Sequence, residues 1–220
     1  DVLSKKIPVG SLIYKAVERF QNFRNREDIY FDKKCVEEAI SFVALMKHFL
    51  GKTAGKNFIL EPWQEFLLAN LLGLKWKDSG YRVCQETYIQ VARKAGKDAF
   101  MAALAIYMMV VDGEASPQIA CLANSRDQAR ILFDYIDKFS RGLDPKEGLI
   151  KHYRNYIDLK SNGGSVKVYS ADASTLDGLN VSMGVIDEFH EAKDRKLYDV
   201  IKSSMGMRTQ PLMVIITTAG

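Results

Sequence analysis

The chain has 220 residues, 47% of them hydrophobic, a length and composition that suit one α/β domain better than two small ones. Its formal charge of +4 permits a polyanionic partner without requiring one. Cys35, Cys84 and Cys121 form no CxxC pair, which argues against a zinc site or a disulfide framework, and no apolar run reaches the roughly 18 residues of a membrane span.

In chain order, Ile13, Val17 and Phe20, then Val36, Ala39, Ile40, Val43 and Met46, recur at three-to-four spacing, so Ser11 to about Leu50 reads as mostly helical. A Gly- and Lys-rich break at 51–57 precedes Pro62, which suits the first turn of a helix running to about Leu72. From Tyr88 the pattern changes. Strands are predicted at Tyr88–Ala92, Gln118–Leu122, Ser165–Tyr169, Met183–Ile186 and Leu212–Thr217, with helices at Asp98–Val111, Arg126–Phe139 and Asp194–Ser203. This alternation predicts a mostly parallel sheet flanked by helices, because parallel neighbours need crossover helices. A local hairpin of 157–159 with 166–169, turning through Asn162-Gly163-Gly164, is the one expected departure. The chain stops at Gly220 directly after an apolar run, so a further downstream region is expected.

Between a β-prone run and an Ala/Met-rich helix lies Val91-Ala92-Arg93-Lys94-Ala95-Gly96-Lys97-Asp98, the strand-loop-helix context of a phosphate-binding loop. Free N–H groups and the positive dipole end of the helix would face phosphate, Gly96 would admit close approach, and Lys97 could reach the β and γ oxygens. Val91 stands where such loops have their first glycine, and Asp98 where Ser or Thr usually meets magnesium. An Asp there either binds the metal directly or repels phosphate when metal is absent. The same residues also suit an ordinary basic loop capped by Asp98. Gly51-Lys52-Thr53 carries the missing hydroxyl, but it follows a helical run, and Gly55 and Pro62 leave no helix starting at Lys52.

Met183-Gly184-Val185-Ile186-Asp187-Glu188 places two carboxylates at the carboxyl end of a buried strand, where α/β sheets put their ligands. Asp187 would hold magnesium and Glu188 would orient and deprotonate the attacking water, unless the pair is simply a solvated turn. His190 follows, as a coupling element or a satisfied surface histidine. Ile215-Ile216-Thr217-Thr218-Ala219-Gly220 is a strand ending in two hydroxyls that can sense the γ-phosphate.

Trp63-Gln64, Arg93-Lys94-Ala95-Gly96-Lys97, Asp187-Glu188-Phe189-His190-Glu191 and Thr217-Thr218-Ala219-Gly220 occur in that order. This set resembles the large terminase subunit of tailed bacteriophages, nearest its lambdoid-prophage-like group, over about Leu60 to Gly220. The resemblance implies a P-loop ATPase of the additional-strand, catalytic-glutamate class with a core at 60–220, behind the helical leader read at 1–59, and it also implies a C-terminal nuclease; no acidic cluster for one follows Gly220, so ATPase activity without DNA cleavage is expected of these residues. It implies a motor that uses ATP and Mg2+ to drive double-stranded DNA into a procapsid in the cytoplasm of the infected bacterial host. The portal protein and the small terminase subunit are the partners it implies, with assembly as a homo-oligomeric ring and no membrane. It further implies catalytic roles for Lys97 and Glu188 and metal ligation by Asp187 and Asp98. Nucleotide binding falls to Gln64, which would read adenine, and to Arg93, Lys94, Ala95, Gly96, Lys97 and Asp98; Thr217 and Thr218 would couple hydrolysis to movement. A trans-acting arginine finger is expected too. None occurs in Asp177-Gly178-Leu179-Asn180, and Arg126, Arg130 and Arg208 are candidates. A helicase-like translocase domain, or an assembly module with weak or no ATP turnover, are the alternatives.

Overall fold

The computed structural model describes residues 1–170, 178–192 and 194–218. In the leader, α1 (Ser11–Arg24) is followed by a short strand, β1 (Ile29–Phe31), and by α2 (Lys33–Val43). Asp32 starts α2 by accepting the Cys35 N–H at 3.0 Å, and Val36, Ala39 and Val43 form its buried face. The mostly helical run expected to about Leu50 is thus two helices separated by β1, the second ending at Val43. Lys47 bridges Asn57, and the Gly51–Thr53 segment between them is an exposed 3-10 turn with no helix behind it.

Pro62 opens α3 (Pro62–Leu68), which continues through one π-helical turn, Ala69–Gly73, into β2 (Leu74–Trp76). β2 pairs antiparallel with β1, a ribbon the helical periodicity does not foretell. Gly73 sits at that crossing because a Cβ there would lie 2.5 Å from the Phe31 ring. Ala39, Val43, Met46 and Phe58 join the same apolar core as the central helix described next, so the leader packs directly on the elements of the main sheet.

The remaining elements are β3 (Glu86–Val91), α4 (Lys97–Val110), β4 (Gln118–Ala123), α5 (Arg126–Leu143), β5 (Ile150–His152), β6 (Tyr156–Leu159), β7 (Gly164–Ser170), β8 (Met183–Asp187), α6 (Lys196–Ser204) and β9 (Leu212–Thr218). Among the described residues their strands form one sheet in the order β3-β9-β8-β4-β7-β6-β5. The first five run parallel; β6 pairs antiparallel with β7, and β5 antiparallel with β6. The expected hairpin is thus present as β6–β7, with β5 added at its edge. β8 is buried at every position and β9 at all but its last, as strands covered on both faces must be. β9 lies between the loop-bearing β3 and the acid-bearing β8, the inserted strand that defines the additional-strand class.

α4 is apolar all round, buried from Phe100 to Met109 among the sheet, α2 and α5. On the other face α6 packs over β4, β8 and β9. Gly184 permits that approach: a Cβ there would come within 2.8 Å of Ile201.

Candidate active site

β3 delivers the chain to the carboxyl edge of the sheet, where it turns through 92–96 and enters α4. Lys94 and Gly96 both adopt left-handed backbone, with φ of 63° and 84°, and Gly96 caps the helix. The first-turn N–H groups of α4 have no carbonyl partners within the helix and face this edge, so an anion arriving there meets both donors and the positive dipole end. Arg93 and Lys94 are exposed on the loop and Ala95 is half-buried.

The Lys97 ammonium is the meeting point of three carboxylates. It stands 2.5 Å from Asp187 Oδ1, 3.2 Å from Asp98 Oδ1 and 3.3 Å from Glu188 Oε1, with its side chain only 12% exposed. Burial pulls its pKa down, but the hydrogen bond and charge of Asp187, helped by Asp98, outweigh this and hold it at about 12. Burial pushes the Asp187 carboxyl up; the ion pair with Lys97 offsets only part of that, and the charges of Asp98 and Glu188 add to it.

Glu188 follows β8 in a left-handed conformation, φ 50° and ψ 46°, a costly geometry for a residue with a Cβ. Its surroundings fix it there. Its N–H donates to the Ile216 carbonyl at 2.8 Å, and Asn124 Nδ2 reaches its carbonyl at 3.4 Å. Its carboxylate accepts from Thr217 Oγ1 at 3.0 Å, from the Thr218 N–H at 3.0 Å and from Thr218 Oγ1 at 3.1 Å. Burial alone would raise its pKa; the Thr218 N–H, the Lys97 charge and the two hydroxyls overcome that and bring it down to about 2. His190 Nδ1 lies 2.5 Å from Thr217 Oγ1 and 3.3 Å from Glu188 Oε2. With the Thr217 proton given to Glu188, the hydroxyl oxygen accepts from a protonated Nδ1.

The expected site residues thus gather at one edge, with differences in detail. Thr217 and Thr218, expected to face the γ-phosphate, both hold Glu188. Gln64 is buried at 2% exposure beside Gly96, and its Oε1 accepts the Glu61 N–H at 2.9 Å. Trp63 meets Phe100 edge to face. Asn124, absent from the sequence reading, was signalled only by its place at the carboxyl end of β4. Ala219, Gly220 and Asp177 lie outside the described residues.

The arginine candidates separate. Arg208 donates to the carbonyls of Ala115, Ser116 and Asn180, all at the opposite, amino edge of the sheet. Arg130 donates to the Arg154 carbonyl and pairs with Asp134. Arg126 is exposed at the start of α5, just beyond Asn124. Among the described residues no three ligating side chains surround a common metal position. Asp98, Asp187 and Glu188 nevertheless converge on one cationic atom, and an all-oxygen carboxylate set is the donor chemistry that suits magnesium.

Comparison with known proteins gives these observations a lineage. The family described as terminase large subunit, ATPase domain, matches residues 62–220. The terminase large subunits of Lactococcus phages p2 and SK1 are each 22% identical to the chain, over 97% of it and 41% of their own length. The chain therefore spans about two fifths of those relatives. The large terminase of bacteriophage HK97 superposes with a TM-score of 0.69 at 22% identity, covering 83% of this chain and 37% of that one. The large terminase ATPase domain of Thermus phage P74-26 gives 0.52 at 15% identity, with 65% and 63% covered. At these identities the structural likeness is one of fold.

Proposed function

This chain belongs to the terminase large subunit family, through its ATPase domain, and from that premise we propose that the Lys97 site binds and hydrolyses ATP to drive double-stranded DNA into a procapsid. The observation that carries this reading is the convergence of Lys97, from the loop after β3, with Asp187 and Glu188, from the end of β8, across the inserted β9.

ATP arriving at the loop meets the N–H groups at the start of α4 and displaces carboxylates from the Lys97 ammonium, which then grips the β and γ oxygens. Arg93 and Lys94 add charge from the loop, and Gln64, which lies beside Gly96, would read the base. Asp187 and Asp98 would hold Mg2+, and the metal would supply charge neutralisation of the phosphate oxygens.

Glu188 orients the attacking water and receives its proton. With a pKa near 2 in the arrangement described above it is a poor base. Releasing it from Lys97, which the polyphosphate takes, raises that pKa and readies the base, while the threonines keep the carboxylate oriented. Thr217 and Thr218, on the strand shared by both halves of the site, register the state of Glu188 through the bonds they make to its carboxylate. The wider assembly follows as part of the same proposal: a homo-oligomeric ring on the portal protein, with the small terminase subunit as partner, in the cytoplasm of the infected host.

ATP binding and turnover by the intact protein, compared with its Lys97→Ala variant, test the site. Loss of both in the variant is expected, and normal hydrolysis by Lys97→Ala would refute the assignment.

A further inference from the structure

The far end of the sheet carries a second surface that the nucleotide site does not use. Along β5, β6 and β7, Ile150, Ile157, Leu159 and Val166 face the core with α4 and α5. Alternation therefore turns Lys151, Tyr156, Asp158 and Lys167 to the opposite face. Among the described residues α6 covers that face over β4, β8 and β9, with Tyr169 near the carboxyl end of β7 packed against the same cluster. The register places Tyr156 beside Lys167 and Lys151 beside Asp158.

At the tip of the β5–β6 turn, Tyr153 and Tyr156 stack with ring centroids 4.2 Å apart and 13° between planes, while remaining 48% and 38% exposed. Lys167 stands 6.0 Å from the Tyr156 ring. Arg130 donates to the Arg154 carbonyl at 2.8 Å and to Asn155 Oδ1 at 3.0 Å, fixing the turn and bringing two guanidinium side chains to it. Residues 150–170 contain four basic residues against one acidic, a net of +3 within a chain whose total is +4. β7 runs parallel to β4, so the tip projects toward the carboxyl edge, the edge that carries Lys97.

We propose that this face, formed by Lys151, Tyr153, Arg154, Tyr156 and Lys167, is a docking surface for the phosphate backbone of duplex DNA. The chemistry fits a polyanion read without sequence. Lysine and arginine neutralise phosphates, the tyrosine hydroxyls donate to them, and the rigid aromatic stack loses little entropy on contact. Asp158 lies directly across from Lys151 and confines the basic strip to the tip and the β7 side. The proposal rests on the DNA-translocating function proposed above, and it adds the place where the strand is held.

A photo-crosslinking phenylalanine analogue at position 156 of the intact protein, irradiated with a labelled short duplex of random sequence, should give a protein–DNA adduct that unlabelled duplex competes away. In parallel, a Lys151→Glu, Arg154→Glu, Lys167→Glu variant should lose about tenfold or more in duplex affinity, and its plot of log affinity against log salt should be shallower by about 3. ATP hydrolysis, which depends on Lys97, should persist without DNA. No adduct, together with unchanged affinity and salt slope in the charge-reversal variant, would overturn the proposal, as would an adduct to a second copy of the chain in place of DNA. If the triple variant loses its fold, the crosslink alone decides. An active ATPase that binds no duplex sinks this surface and leaves the ATP site standing; inactivity with a DNA adduct does the reverse.

Discussion

The Thr218 hydroxyl and the Thr218 backbone N–H both hold one carboxylate, that of Glu188, at 3.1 and 3.0 Å. This grip joins the end of β9 to the residue that ends the acidic segment. Whatever changes the position of Glu188 must also change what these donors bind.

Removing the carboxylate itself tests its role most directly. Glu188→Gln should lower kcat by about 10²–10⁴ while ATP still binds, since general-base contributions fall in that range. Thr218→Val keeps the N–H donor and loses only the hydroxyl, so a smaller fall in kcat, about tenfold, with an unchanged Kd for ATP is expected. Steady-state kinetics beside equilibrium nucleotide binding would expose a structural role, which would move Kd as well.

Acid and alkali should destabilise the protein through different members of the site. Glu188 has a depressed pKa, so its contribution is complete above its ordinary 4.5 and is lost as pH falls toward about 2. Lys97 has a raised one, so its contribution is complete below 10.5 and is lost as pH rises through about 12. Denaturant midpoints against pH should be flatter for Glu188→Gln on the acid side and for Lys97→Met on the alkaline side. Unchanged profiles in both variants would contradict the ion-pair geometry.

Lys97 and Asp187 are buried together, with side-chain exposures of 12% and 8%. Taking away only the lysine strands a buried carboxylate beside two others, a loss of about 3–5 kcal/mol. Lys97→Met should therefore lower stability even without nucleotide, and adding Asp187→Asn should recover much of it. Additive losses in that double-mutant cycle would mean the two groups do not interact.

Asp98 stands 3.2 Å from the same ammonium, so the site carries three negative charges around one positive before ATP arrives. ATP should bind far more weakly in EDTA than with Mg2+, and Asp98→Ser should narrow that gap by strengthening metal-free binding. Titration calorimetry of both proteins, with and without metal, measures it; an equal ratio in the two would remove Asp98 from the metal question.

The half of the fold that builds the site was legible because its signals are local. β8 and β9 are uninterrupted apolar runs, and Lys97 and Asp187-Glu188 stand where strands give way to helix or turn. The β1–β2 ribbon was not, because Ile29-Tyr30-Phe31 is three residues long and becomes a strand only by meeting Leu74-Lys75-Trp76, far along the chain. β5 escaped notice for the same reason of length. The grip on Glu188 depends on register: pairing Asp187 with Ile216 brings the next residues, Glu188 and Thr217, side by side, and no periodicity encodes that offset. Asn124 reads in sequence as an ordinary polar residue before a helix cap.

The placement of β9 limits what kind of motion the site can transmit. Hydrogen-bonded to β3 along one side and to β8 along the other, with both ladders parallel, the strand cannot slide without breaking two rows of pairs at once. A signal leaving the nucleotide must then travel as an exchange of side-chain partners at the strand's last two threonines, and the sheet behind them serves as a fixed anvil.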